Sequence, residues 1–199
     1  PLSDSEIQIL ERWIALGASD TIKLDQLPSN EPLVALVNDM RTPDPMEQWA
    51  NLPFVADSTL ENLSSDYLTI KRVAGNSNAL SINMYMPPKY DPQLILDLKR
   101  ISPNIVELDL SGLPIGEKEM GLIALCNNLD WLEIDQTPIT NSEMGQLKGL
   151  PKLRLLKVYE TGIGDEGLAV LQNLTNLKKL YLWRTAVTQN GLEGLKAKK

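Results

Sequence analysis

Apolar residues in the C-terminal half of the chain recur at a fixed interval of 24 positions. Four columns of leucine, isoleucine, valine or methionine run through four successive segments. Because one segment of this size cannot bury its own apolar face, the periodicity predicts stacked units that share a core. The columns are Leu108, Leu132, Leu156 and Leu180; Leu110, Ile134, Val158 and Leu182; Ile115, Ile139, Ile163 and Val187; and Met120, Met144, Leu168 and Leu192.

Within each unit the apolar pattern changes its period. The first part, L-x-x-L-x-L-x-x-T-x-I, alternates as a half-buried strand does. The second part opens on a usable helix N-cap at Thr140, Gly164 or Thr188 and then places apolar residues at i and i+3. Each unit is therefore predicted to be a strand, a turn and a short helix. This pattern resembles the leucine-rich repeat, with the usual asparagine replaced by Leu113, Thr137, Thr161 and Thr185.

The predicted fold class is an α/β leucine-rich-repeat solenoid, with a parallel β-sheet on the concave side, short helices on the convex side and an N-terminal helical appendage. Residues 104–199 hold the regular 24-residue repeats. Residues 57–103 are interpreted as irregular N-terminal capping repeats, with a helix around Leu60 and Leu63 and a strand from Leu68 to Val73. The "GNSNA" of residues 75–79 lacks the G-K-[ST] ending of a phosphate-binding loop and is predicted to be a turn between strands.

Two further segments precede the repeats. Residues 21–56 are predicted to be a Pro-rich linker with one short helix near Leu33–Met40. Residues 1–20 predict an amphipathic helix that begins with a capping box of Ser3 and Glu6 and ends at Gly17. Its apolar stripe consists of Ile7, Leu10, Trp13 and Ile14.

The first helix carries a family resemblance. "PLSDSEIQILERWIALGA" resembles the last helix of the cytochrome c-like domain in large planctomycete- and Bacteroidetes-type envelope proteins. Residues 72–85, "RVAGNSNALSINMY", and residues 180–192, "LYLWRTAVTQNGL", are similar to later segments of the same proteins. The resemblance implies that residues 1–20 end a truncated cytochrome c-like domain. It also implies a membrane-anchored parent with this part in the periplasm or elsewhere outside the cytoplasm.

The resemblance stops short of the haem. A c-type haem needs C-x-x-C-H, whereas this chain has no histidine and Cys126 is its only cysteine. No cofactor is therefore expected in this fragment, and the haem is expected in the missing upstream domain of the parent. The "MPP" string at Met86–Pro88 is similar to the family's methionine-ligand string, but it lies in a repeat turn and is interpreted as coincidence.

Composition narrows the function classes. The net charge is −7, with no basic excess that would favour nucleic acid. No apolar run reaches the length of a membrane span, so the fragment itself is not expected in the membrane. Without histidine, no Ser-His or Cys-His pair and no His- or Cys-rich metal site can form. Catalytic residues and metal ligands are therefore predicted to be absent, and Cys126 is predicted to be a buried thiol.

The candidate binding residues are the outward positions of the strands. Leu180 and Leu182 should point inward, which leaves the side chains between them on an open surface where aromatic residues favour recognition. Four of these positions form an acidic patch: Glu107, Asp109, Glu133 and Asp135. The residues predicted to bind a partner are Trp131, Leu155, Lys157, Tyr159, Lys179, Tyr181, Trp183 and Arg184.

The predicted function is non-catalytic protein recognition through the concave face, within a larger envelope protein. The partner would be another protein or another domain of the parent. One alternative is a structural spacer or an intramolecular docking domain for the haem domain, and a carbohydrate-binding or hydrolytic domain is a further one. The aromatic rings could instead pack on residues 21–56 or only stabilise the strand ladder. The acidic patch could hold Ca²⁺ or an acid/base pair, although charge on a solvated sheet is the commoner case.

Overall fold

A computed structural model describes residues 4–40 and 46–196 of the chain. The chain divides into two compact units, Pro1–Glu47 and Gln48–Lys199. The division lies inside the stretch that the sequence predicts as a linker. Over the described ranges, no helix is both long and apolar enough to cross a membrane.

The first unit is built from two helices that pack on each other. They are α1 (Asp4–Ala15) and α2 (Pro32–Met40), and α2 occupies the predicted helical part of the linker. Gly17 ends α1 as predicted: its φ is 95°, its N–H donates to the Ile14 carbonyl, and the Ala18 N–H donates to the Trp13 carbonyl. The other end of the predicted helix, with Ser3 of the capping box, lies outside the described residues.

The second unit contains twelve further α-helices and strands within residues 57–196. The N-terminal part has α3 (Asp57–Leu63), β1 (Leu68–Arg72), β2 (Leu80–Met84) and α4 (Gln93–Leu96). The repeated part has β3 (Ile105–Asp109), α5 (Glu117–Ile123), β4 (Trp131–Glu133), α6 (Asn141–Met144), β5 (Leu155–Lys157), α7 (Asp165–Val170), β6 (Lys179–Tyr181) and α8 (Gln189–Lys196).

The strands form one six-stranded sheet in chain order, β1 to β6. Strands β2 to β6 are parallel, and Leu108, Leu132, Leu156 and Leu180 stand opposite one another, as the 24-residue interval predicts. Strand β1 departs from the predicted parallel sheet because it pairs antiparallel with β2. The "GNSNA" segment is the turn between them, and a parallel pair would need a much longer crossover.

The core lies between the sheet and the helices. The inward leucine columns and the helical column that starts at Met120 are buried in the first three repeats. In the last repeat Leu180, Leu182, Val187 and Leu192 are only partly buried. Cys126 belongs to this core, and burial raises the pKa of its thiol to about 12, so the predicted buried cysteine is confirmed.

At the position where the repeat pattern usually has asparagine, three units have a threonine, and its hydroxyl makes a local hydrogen bond. The hydroxyls of Thr137, Thr161 and Thr185 each donate to the carbonyl three residues earlier, at 2.6 Å. The residue before each threonine is left-handed, with φ between 53° and 55°. Each turn therefore has the same conformation, which keeps successive units in step; these residues are Gln136, Glu160 and Arg184.

Candidate binding face

The outward side chains of the sheet form three rows that cross β2 to β6. We call these rows together the strand face. The strand pairing aligns the first two rows, one residue from each strand. The rows are Ser81, Glu107, Trp131, Leu155 and Lys179; Asn83, Asp109, Glu133, Lys157 and Tyr181; and, beyond the strand ends, Tyr85, Ser111, Asp135, Tyr159 and Trp183.

Three aromatic rings form a cluster at the β5–β6 end of the strand face. The rings of Tyr159 and Trp183 are stacked, with centroids 4.0 Å apart and planes 12° from parallel. The ring of Tyr181 meets Trp183 edge-on, at 5.6 Å and 86°. Trp183 remains 50% exposed. The cluster therefore presents an indole surface that its neighbours hold in one orientation.

Lys157 lies between the rings of Trp131 and Tyr181 on the strand face. The Lys157 ammonium is 5.7 Å from the Trp131 ring centroid and 6.0 Å from that of Tyr181. It also pairs with Glu133 Oε1 at 2.8 Å, and the Trp131 indole N–H donates to the same oxygen at 2.6 Å. Burial lowers the pKa of Lys157, but the hydrogen bond and charge of Glu133, with Asp135 and Asp109, outweigh it, so the pKa is raised. Lys157 is therefore charged, and its charge is balanced by Glu133 within the strand face.

The predicted acidic patch separates into buried and accessible members. Asp135 is 2% exposed, which corrects the expectation of an open position. It accepts a hydrogen bond from Ser111 Oγ at 3.0 Å and another from the Tyr159 hydroxyl, and these two side chains flank it in its row. The hydrogen bond to Asp135 is the main reason why the pKa of Tyr159 is raised to about 12.

The accessible carboxylates line a cleft of about 340 Å³ across β2, β3 and β4. Asp109 accepts hydrogen bonds from Asn83 Nδ2 and the Ser111 N–H, each at 3.0 Å. Glu107 has no hydrogen bond or ion pair with any described residue. The polar and aromatic side chains of the cleft are Ser81, Asn83, Glu107, Asp109, Trp131 and Glu133. Within the described ranges, no group of three or more Cys, Asp or Glu side chains could hold a metal ion.

Leu155 is a second correction to the predicted binding residues. It lies in the first of the three rows, between Trp131 and Lys179. It is only 6% exposed, although it is not a member of the hydrophobic core cluster beneath the sheet. The side chains of Trp131 and Lys179 on either side are longer, so they cover Leu155. It therefore supports the neighbouring side chains and offers a partner little surface of its own.

Arg184 and Glu160 form an ion pair beside the aromatic cluster. The Arg184 guanidinium donates to Glu160 Oε1 at 2.5 Å, and the arginine remains exposed. Glu160 was not predicted as a site residue, nor were Asn83 and Ser111. The signal that identifies them is the repeat register, since each lies one unit from a predicted residue.

Comparisons with known proteins give a limited result. No protein-family model matches the chain, and no curated protein matches its sequence. Among solved structures, the chain is similar to an internalin from Listeria monocytogenes, with 23% identity and a TM-score of 0.43. The match covers 49% of this chain and 28% of the internalin chain, so this chain spans less than a third of that protein. The resemblance to cytochrome c-type envelope proteins stays a prediction.

Proposed function

We propose that the second unit is a leucine-rich-repeat solenoid that recognises a protein partner through its strand face, without catalysing a reaction. The partner is another protein or another domain of the parent chain. The observation that carries the proposal is the aromatic cluster of Tyr159, Tyr181 and Trp183, in which two half-buried tyrosines hold an exposed tryptophan. Of the ten aromatic residues in the chain, five occupy outward positions of this one face: Tyr85, Trp131, Tyr159, Tyr181 and Trp183.

The cluster has the physical properties of an interface centre. Tryptophan and tyrosine are enriched among residues that dominate binding free energy, because they bury large areas with few rotatable bonds. Stacking on Tyr159 and the edge contact with Tyr181 already restrict the Trp183 ring. A partner that covers this ring therefore loses less side-chain entropy than it would on a mobile one.

The surrounding charges favour a polar rim. Lys179 and Arg184 are exposed at the β6 side of the cluster, and Glu160 pairs with Arg184. Lys157 is neutralised by Glu133, so its charge does not have to be desolvated alone when a partner covers it. An apolar centre bordered by charged groups is the usual anatomy of a protein interface.

The cellular setting of the proposal rests on the sequence resemblance alone. We place the unit in a periplasmic or other extracytoplasmic part of a membrane-anchored parent that carries c-type haem upstream. The similarity of residues 1–18, 72–85 and 180–192 to that family supports this setting. It makes an envelope extract the appropriate source of candidate partners.

The test is capture of a partner followed by a direct binding measurement. Immobilised chain and a Tyr159→Ala/Trp183→Ala variant are exposed to an envelope extract, and captured proteins are identified by mass spectrometry. The identified protein is then purified and its Kd for both chains is measured. The matched control is Phe54→Ala, which removes a ring that is 81% exposed outside the strand face.

We expect the double variant to lose the partner while it keeps its fold by circular dichroism, and Phe54→Ala to retain the partner. Equal capture by the double variant would contradict the proposal. Binding of purified glycans with the same dependence on the two rings would replace the protein partner by a carbohydrate.

A further inference from the structure

We propose that the cleft across β2, β3 and β4 receives a positively charged side chain, arginine or lysine, from the protein that binds the strand face. This inference rests on the proposed function and specifies the chemistry of its partner. The cleft lies at the opposite end of the strand face from the aromatic cluster, so the two would contact different parts of the same partner.

The first argument is charge. Glu107 has no partner among the described residues, and Asp109 is contacted only by uncharged donors, from Asn83 and Ser111. Lys71 on β1 stands opposite Ser81, so it is two strands away from Glu107. That separation is about 10 Å, close to the distance over which salt screens exposed charges. Lys157 interacts with Asp109 only through its charge, since its ammonium is paired with Glu133. Among the described residues, Glu107 and Asp109 therefore have no cation in contact.

The second argument is that the face already binds one ammonium group with the same elements. Lys157 occupies the β5 side of Trp131, where it contacts the ring and Glu133. The cleft occupies the β3 side of Trp131, where the ring is bordered by Glu107. An aromatic ring and carboxylates are thus available on both sides, and among the described residues only one side holds a cation. Trp131 is 38% exposed, so an incoming group can reach it.

The third argument is hydrogen-bonding capacity. Each carboxylate oxygen can accept two hydrogen bonds, and Asp109 receives only one on each oxygen. Glu107 and Asp109 lie two residues apart on β3 and therefore on the same face of the sheet, with their Cα atoms about 7 Å apart. A guanidinium presents several N–H donors in one plane and can bridge two such acceptors while it lies on an indole ring. Among cations of proteins, arginine therefore fits the cleft best.

The test uses the whole chain and a small defined probe. The ¹⁵N-labelled protein is titrated with the peptide acetyl-Gly-Arg-Gly-amide and with its citrulline counterpart, which has the same shape without the charge. The reporter is the indole N–H signal of Trp131, assigned by its absence in Trp131→Leu. The indole signals of Trp13, Trp49 and Trp183 serve as internal references. Glu107→Gln is the principal variant because it removes a charge that holds no other group in place.

We expect a saturable shift of the Trp131 signal with the arginine peptide, and a Kd at least about tenfold weaker for citrulline and for Glu107→Gln. Glu166→Gln, which removes an exposed carboxylate on α7 outside the strand face, should leave the Kd unchanged. Equal binding of both peptides, or an unchanged Kd in Glu107→Gln, overturns the inference. A shift produced by calcium chloride but not by the arginine peptide also overturns it.

Failure of this inference is distinguishable from failure of the proposed function. If a partner is captured through Tyr159 and Trp183 while the arginine peptide does not move the Trp131 signal, recognition stands and the cleft chemistry is refuted. If the peptide binds but no partner depends on the two rings, the proposed function fails and the cleft remains a cation site.

Discussion

The side-chain oxygen of Asn141 lies 2.7 Å from the backbone nitrogen of Gly164, which stands one repeat further along the chain. The same oxygen accepts a second hydrogen bond from the Gly167 N–H at 3.1 Å. One asparagine thus satisfies two free backbone donors at the start of α7. The last repeat has a related arrangement, in which Asp165 accepts from both the N–H and the hydroxyl of Thr188.

The two earlier repeats cap their helices from within the unit. Glu119 accepts from the Gly116 N–H, and Glu143 accepts from the Thr140 N–H. These glutamates and the glycines at 167 and 191 occupy equivalent positions, 24 residues apart. Glycine stands there in the later repeats because the capping side chain of the preceding unit fills the space. The helix caps therefore couple neighbouring units directly.

We predict that Asn141→Ala destabilises the second unit by about 1–2 kcal/mol, because two donors at the start of α7 lose their acceptor. Urea denaturation followed by circular dichroism measures the change. Asn127→Ala is the control, since its exposed side chain makes no hydrogen bond within the described residues. Equal destabilisation by the two substitutions would show that the cap contributes nothing specific.

Gly167 and Gly145 should respond differently to substitution by alanine. A Cβ at Gly167 would stand 2.6 Å from Asn141 Oδ1 and 3.0 Å from Ile163 Cγ2, whereas a Cβ at Gly145 would meet no atom within 4 Å. We expect Gly167→Ala to destabilise by about 1–3 kcal/mol through overpacking. Gly145→Ala should be neutral or stabilising by up to about 1 kcal/mol.

The same pair supplies a coupling test. In the double variant Asn141→Ala/Gly167→Ala the clash with the asparagine is absent, so the two losses should not add. Additive free energies of unfolding would indicate that the two residues do not compete for one space.

Tyr159 is predicted to ionise late. Its pKa is raised from 10.0 to about 12, mainly by the hydrogen bond to Asp135. Because the folded pKa lies above the unfolded one, the stability from this group is fully present below pH 10 and is lost as the pH rises towards 12. The ¹³Cζ chemical shift of Tyr159 reports the titration. Asp135→Asn removes the charge and should lower the pKa; a pKa that stays at about 12 would assign the shift to another cause.

Much of the sheet could be predicted from the sequence because register follows directly from a fixed interval. Leu132 and Leu156 had to face each other once the units stacked, and Trp131 and Lys179 then had to share an outer row. The antiparallel pairing of β1 could not be predicted in this way, because the repeat does not extend to β1.

The environment of individual outward residues could not be predicted in the same way. The burial of Leu155 depends on the length of the side chains beside it, and that of Asp135 depends on hydrogen bonds from two neighbouring units. Periodicity fixes where a Cβ lies but not which rotamer its neighbours adopt. For the same reason, the sequence did not show that Lys157 pairs with Glu133 of its own chain.

The most direct measurement of the central claim is the Kd, by titration calorimetry, between the purified captured protein and three chains: wild type, Tyr159→Ala/Trp183→Ala and Phe54→Ala. A surface that recognises its partner through the stacked pair predicts a loss of at least about 2 kcal/mol in the double variant and no change in Phe54→Ala. Wild-type affinity in a folded double variant would contradict the account.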